Sequence, residues 1–182
     1  MTVNVEGYDK DQTPLPITSF DDLKVSKQLR GLYEKFATPS PIQQYAWPAL
    51  LAKRDVVGIS ATGSGKTLAF SVPILHRLFK KYPPGQGGDA IRWVTIAPTR
   101  ELALQTYDVI KAVVPSVCLY GGMPKWEQVK EMGKVKPLAV VATPGRLQDL
   151  IDSEEVDLSQ VRFLVLDEAD RMLDAGFEPA VS

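Results

Sequence analysis

The chain has 182 residues, 45% of them apolar and 24% charged, which suits one soluble globular domain with a sizeable core; it shows no internal repeat or low-complexity tract. A net charge of −1 and a pI near 5.9 exclude a broad basic field, so any contact with nucleic acid must come from specific groups. The single cysteine, Cys118, excludes an intrachain disulfide and reads as a core position in a reducing compartment, and no apolar run reaches the length of a signal peptide or a membrane span.

Residues 1–19 hold Pro14 and Pro16 among scattered polar groups, which predicts an extended N-terminal segment that does not fold by itself; residues 20–182 are expected to form the domain. From Asp21 to Lys35, the residues Leu23, Val25, Leu29, Leu32 and Tyr33 fall roughly at helical spacing. Ile42–Leu51 offers a second helix, with Pro41 at its first turn. Strands and helices then alternate: strand Asp55–Ile59, helix Lys66–Lys80, strand Ile91–Ile96, helix Arg100–Val113, strand Val117–Leu119, helix Lys125–Glu131, strand Leu138–Val141, helix Pro144–Asp152 and strand Arg162–Leu166. That alternation predicts an α/β fold, a parallel sheet with helices on both faces, and the short Val-, Ile- and Leu-rich strands suit its interior. The proline- and glycine-rich tract from Lys80 to Asp89 predicts a surface loop.

Ala61-Thr62-Gly63-Ser64-Gly65-Lys66-Thr67 joins a predicted strand to a predicted helix. Gly63 and Gly65 let the backbone approach an anion, and successive N–H groups converge on it at the helix start. Lys66 is expected on the β- and γ-phosphates of a nucleoside triphosphate and the Thr67 hydroxyl on magnesium. The common phosphate-loop pattern has glycine where this chain has Ser60. Asp167-Glu168-Ala169-Asp170 follows the apolar run Val161–Leu166, which predicts two carboxylates at the end of a buried strand. Asp167 is the expected partner of magnesium, through ordered water, and Glu168 is placed to orient or deprotonate the attacking water. An isolated Asp-Glu pair would more often cap a helix on a solvated surface; a phosphate loop in the same chain argues otherwise.

Further motifs are Pro39-Ser40-Pro41-Ile42-Gln43, Pro98-Thr99-Arg100-Glu101-Leu102-Ala103, Gly121-Gly122 and Thr143-Pro144-Gly145-Arg146. In this order and spacing, and together with the two acidic and phosphate-loop motifs, they make the chain from Phe20 onward resemble the first RecA-like domain of a DEAD-box RNA helicase. The resemblance implies ATP and Mg2+ as cofactors. Gln43 would hydrogen-bond the adenine edge with Phe20 lying against the base, and Thr62, Gly63, Ser64, Gly65, Lys66 and Thr67 would hold the phosphates. An amide carries both donor and acceptor, so it can separate adenine from guanine's reversed pattern. Lys66, Asp167 and Glu168 are the implied catalytic residues. Thr99, Arg100, Gly122, Thr143, Gly145 and Arg146 would hold the RNA sugar–phosphate backbone with little sequence specificity, and Asp170 would couple hydrolysis to the family's next motif. One departure is Lys35 before Phe36, where the family usually has glycine.

The implied function is RNA-stimulated ATP hydrolysis coupled to local duplex unwinding or ribonucleoprotein remodelling, with RNA and a second RecA-like domain of the same full-length chain as partners and no membrane. An ATP-gated RNA clamp or assembly scaffold is the alternative; Gln43 and the Pro98–Ala103 block argue against a phosphate-loop ATPase acting on DNA or protein. Ile59-Ser60-Ala61-Thr62 and the short lead-in before Phe20 resemble the ribosome-biogenesis branch, which implies the nucleus or nucleolus, with the cytoplasm as alternative. The family's next motif, a Ser-Ala-Thr segment, is not reached before Ser182. The resemblance places its strand between the phosphate-loop strand and the strand ending at Asp167, so the sheet is expected to lack C-terminal strands. The chain alone is accordingly expected to be marginally stable and, without the second domain's arginine fingers, close to inactive. His76 has no ligand-spaced partner and is expected to be structural or at the surface; Trp47, Trp93 and Trp126 read as packing residues.

Overall fold

Hydroxyl and proline punctuation breaks the first stretch of the chain into short helical pieces. Ser19 Oγ accepts the Asp21 N–H at 3.2 Å and starts a 3-10 turn over Phe20–Asp22. A second 3-10 turn, Lys27–Leu29, runs into α1 (Arg30–Tyr33). The single helix predicted over residues 21–35 is therefore interrupted: the Ser26 N–H donates to His76 Nδ1 at 3.0 Å and the Val25 N–H to Leu23 O, so neither enters a helical ladder. In this computed structural model, which describes residues 3–9, 11–61, 63, 65–83 and 90–174, backbone contacts divide the chain into two units, residues 1–82 and 83–182.

In the first unit α2 (Pro41–Leu51) packs on α3 (Lys66–Lys81). Trp47 is fully buried and donates its indole N–H to Leu68 O at 3.1 Å, so its one polar atom is satisfied inside the core. Leu29, Val72 and Leu75 are likewise fully buried, and Phe20 stacks on Tyr33 with ring centroids 5.0 Å apart. The N-terminal arm is fastened at separate points: Ile17 N–H donates to Gln44 O at 2.9 Å, and the Arg54 guanidinium lies 5.0 Å from the Tyr8 ring centroid. The predicted strand Asp55–Ile59 is not formed. Those residues enter no ladder, and Val57 and Ile59 are 90% and 91% exposed, because apolar character alone makes no strand without a partner to take its N–H and C=O groups.

His76 lies on α3 as the acceptor for Ser26, the structural role expected of it. Burial, and then the charge of Lys80, lower its pKa from the ordinary value. A histidine kept neutral by the fold contributes stability that is full above its unfolded pKa and is lost as pH falls through the lowered folded pKa. Thermal unfolding of the parent should weaken on going from about pH 8 to about pH 5, with His76→Ala less stable at neutral pH but flatter across that window. Equal pH profiles for the two would contradict the assignment.

Among the described residues the second unit carries one sheet of four parallel strands: β1 (Trp93–Ile96), β2 (Ser116–Leu119), β3 (Ala139–Ala142) and β4 (Phe163–Leu166), in the order β2-β3-β1-β4. Its crossovers are the helices α4 (Arg100–Ile110), α5 (Lys125–Val135) and α6 (Pro144–Asp152), and the short α7 (Ala169–Asp174) follows β4. The path steps one way from β1 to β2 and then back through β3 to β4. Right-handed crossovers therefore place α4 on one face and α5 and α6 on the other. Val94, Val117, Val140 and Ala142 pack with Met132 of α5, Leu147 and Leu150 of α6 and Met172 of α7, while α4 packs on β2 and β3. The predicted α/β class with a parallel sheet stands. One expectation fails: β4 is not a buried strand. Its residues alternate between partly buried and exposed, with Leu164 at 60% and Leu166 at 38%, at the end of the sheet where, among the described residues, β4 pairs with β1 alone.

Candidate functional site

Gly63 and Gly65 both have positive φ, +78° and +89°, the left-handed backbone that the phosphate-loop turn demands and that glycine adopts without penalty. A Cβ on Gly65 would also lie 2.6 Å from Gln43 Nε2 and 2.7 Å from Ser40 Oγ, so the position has no room for a side chain. Gln43 is 5% exposed and bridges the two predicted motifs: its Oε1 accepts the Ser40 N–H at 3.0 Å, and its Nε2 donates to Gly65 O at 3.1 Å. Gln43 is thus a buried bridging residue and not an exposed position of the helix. Each end of the amide still keeps one further hydrogen-bonding direction, a second N–H and a second lone pair, the pair that adenine would need. Lys66 and Thr67 open α3 and are half-buried. Thr62 and Ser64 lie outside the described residues. Phe20 is partly buried, its ring engaged by Tyr33 and Trp47.

In the second unit the register pairs Ile96 with both Ala142 and Leu166, and Leu119 with Ala142, so all four strands end along one edge. Every remaining motif begins there: Pro98–Ala103 after β1, Gly121-Gly122 after β2, Thr143–Arg146 after β3 and Asp167–Asp170 after β4. The carboxyl edge of a parallel sheet, where the strand order reverses, is where α/β proteins bind ligands. An open groove of about 490 Å³ lies against Pro98, Arg100, Tyr120, Gly121 and the start of α6.

The predicted RNA-holding residues differ in how far they are already committed. Thr99 Oγ1 caps α4, accepting from Leu102 N at 3.3 Å, whereas Thr143 makes no side-chain cap, which leaves the first N–H groups of α6, including that of Gly145, as anion donors. Arg100 is exposed and lies over the Tyr120 ring, 4.7 Å from its centroid. Gly122 has φ +87°. Arg146 is the least free: Nη1 donates to Gln128 Oε1 at 2.8 Å and Nη2 to Met123 O at 2.9 Å, while Nε lies 4.0 Å from Asp149. Gln128, 7% exposed, also donates to Tyr120 O at 3.0 Å. Gln128 and Arg146 thus hold both ends of the Gly121-Gly122 loop. Sequence reasoning missed Gln128 because a glutamine on an amphipathic helix has no distinguishing pattern until its partners are folded against it.

Asp167 and Glu168 are partly buried, and Asp167 N–H donates to Ile96 O at 2.8 Å, which fixes the turn leaving β4. Asp170 is exposed on α7. Thr67 and Asp167 offer the hard oxygen donors that Mg2+ prefers. No group of three or more His, Cys, Asp or Glu is gathered among the described residues. Burial, with Asp108 adding, pushes the Cys118 thiol up to about 12, so it stays protonated and unreactive; it is half-buried and not in the core interior. Trp47 and Trp93 are fully buried, but Trp126 is 65% exposed and is not the packing residue expected, since it flanks the face of α5 that buries Gln128 and Met132. No helix among the described residues is long and apolar enough to cross a membrane.

Residues 40–182 match the family model described as DEAD/DEAH box helicase. The chain is 49% identical over 176 residues to "ATP-dependent RNA helicase DBP3" of Cryptococcus neoformans, covering 90% of this chain and 29% of that protein. It is 49% identical over 168 residues to the protein of the same name in Saccharomyces cerevisiae, covering 90% of this chain and 31% of that one. The chain thus spans about a third of the length of these curated relatives. Among solved structures, the yeast DEAD-box splicing factor Prp28 matches with a TM-score of 0.83 at 33% identity, over 93% of this chain and 42% of that one.

Proposed function

We infer, because the chain belongs to the DEAD/DEAH box helicase family, that it is the ATP-gripping, RNA-contacting part of an enzyme that couples ATP hydrolysis to the unwinding or remodelling of RNA. Lys66 and the N–H groups at the start of α3 take the β- and γ-phosphates. Thr67 and Asp167 take Mg2+, which when bound neutralises charge on the phosphates. Glu168 accepts a hydrogen bond from the attacking water, and Gln43 reads adenine. Thr143, Gly145, Gly122, Thr99 and Arg100 hold the RNA backbone through N–H groups, hydroxyls and a guanidinium, a mode that needs neither a basic face nor a base sequence. Arg146 contributes by holding the Gly121-Gly122 loop as well as through its remaining N–H groups. Asp170 couples the two activities in this reading, and a second RecA-like domain in the full-length protein completes the ATP site.

The observation that supports this most is the emergence of four separate motifs at the carboxyl ends of four neighbouring strands. ATP turnover by the full-length protein, with and without single-stranded RNA, tests it, and release of a short RNA duplex in the same reaction separates unwinding from clamping. RNA-stimulated hydrolysis is expected; turnover indifferent to RNA would contradict the reading. Gln43→Ala should reduce the preference for ATP over GTP by at least about tenfold, the worth of one well-made hydrogen bond pair. It should also weaken both nucleotides, since the bond to Gly65 O is lost, so the ratio is the diagnostic quantity. A role in ribosome biogenesis, in the nucleolus, rests on the Ile59–Thr62 resemblance, and imaging the tagged full-length protein tests it.

A further inference from the structure

Glu168 is the one described residue of the acidic motif whose backbone is left-handed, φ +51°, a conformation uncommon for a residue with a Cβ. Arg171 meets Glu168 twice. The Arg171 N–H donates to Glu168 O at 3.0 Å, joined by the Met172 N–H at 3.3 Å. Its Nη1 then donates to Glu168 Oε2 at 3.1 Å. The side chain of Glu168 is only 12% exposed while that of Arg171 is 53% exposed, so a nearly buried carboxylate is tied to a guanidinium that reaches it from the solvent side. Oε1 takes no hydrogen bond among the described residues.

We propose that Arg171 is a positioning residue for ATP hydrolysis, holding Oε2 of Glu168 so that Oε1 presents a fixed acceptor to the attacking water. The inference rests on Glu168 acting on that water. The water oxygen bonds to the γ-phosphorus as the bridging P–O bond to ADP breaks, its electron pair leaving with ADP, and the water's proton passes through Oε1 to the product phosphate. The ion pair restricts where the carboxylate points. Phosphoryl transfer is sensitive to how the groups around the attacking water are positioned, so loss of the pair should slow the reaction.

The test uses the full-length protein with Arg171→Ala and Arg171→Lys, measured for RNA-stimulated ATP hydrolysis and for thermal unfolding. Arg171→Ala should lower kcat about tenfold, the scale of a misplaced catalytic group, with KM for ATP and the melting temperature close to the parent's. Arg171→Lys, which keeps a cation within reach of Oε2, should recover most of the loss. An unchanged kcat in Arg171→Ala overturns the proposal while leaving the family function intact. So does a fall in kcat that comes with a raised KM, a lowered melting temperature and no rescue by lysine, the pattern of a merely structural residue. A parent that does not hydrolyse ATP would remove the reading of Glu168 and this inference with it.

Discussion

Replacing Glu168 with glutamine in the full-length protein is expected to slow ATP hydrolysis about 1,000-fold, the usual contribution of a positioned acid–base group, while Mg2+-ATP affinity stays near the parent's. The two side chains are nearly isosteric, so the left-handed turn and the helix after it keep their shape. What changes is the acceptor: an amide cannot take the water's proton, and its oxygen is a weaker partner for both Arg171 and the water. Because binding is retained and turnover is not, the variant should stay longer on RNA in the presence of ATP, the ATP-bound state being the one that grips RNA in this reading. Single-turnover hydrolysis and RNA retention measured side by side check both halves. Equal turnover of variant and parent would remove the assigned role.

Lys66→Ala should abolish ATP binding within the reach of a micromolar titration. Lys66 is the first residue of α3 and only half-buried, so its loss leaves the core formed by Trp47, Leu68, Val72 and Leu75 untouched. The triphosphate, however, loses its mobile positive charge. Two charge-assisted hydrogen bonds to the β- and γ-phosphates are worth about 3–6 kcal/mol together, or a loss of affinity between about 150-fold and about 25,000-fold. Unfolding should therefore be close to the parent's without nucleotide, while the upward shift of the melting temperature produced by Mg2+-ATP in the parent should vanish. A shift that persists in the variant would place the phosphates elsewhere.

Much of this arrangement could be read from residue patterns because the pieces that carry it are local. Pro41 and Gly65 mark the starts of α2 and α3, Thr99 caps α4 and Pro144 opens α6, and each signal sits within a few residues of the boundary it sets. The alternation of apolar strands with helices was enough for a parallel sheet, and in such a sheet every loop after a strand emerges at the same edge. What could not be read depends on partners distant in the chain. Ser26 looked like part of a helix until its N–H went to His76, and residues 55–59 looked like a strand but have no ladder. Likewise an apolar run reads as interior, yet Leu164 and Leu166 are exposed at the end of the sheet. Gln43 illustrates the limit from the other side. Its place in a motif marks it for adenine, but its bonds to Ser40 and Gly65 O, which tie α2 to the turn before α3, follow from packing.

Titrating ATP into the folded full-length protein, with Mg2+ and then with the metal chelated, tests most directly whether Lys66, Thr67 and Asp167 serve one metal-bound nucleotide. ATP affinity that requires Mg2+ and disappears in Lys66→Ala is the expected result, and it is what a single shared site demands. ATP binding that is absent, or that is indifferent both to the metal and to Lys66, would contradict it.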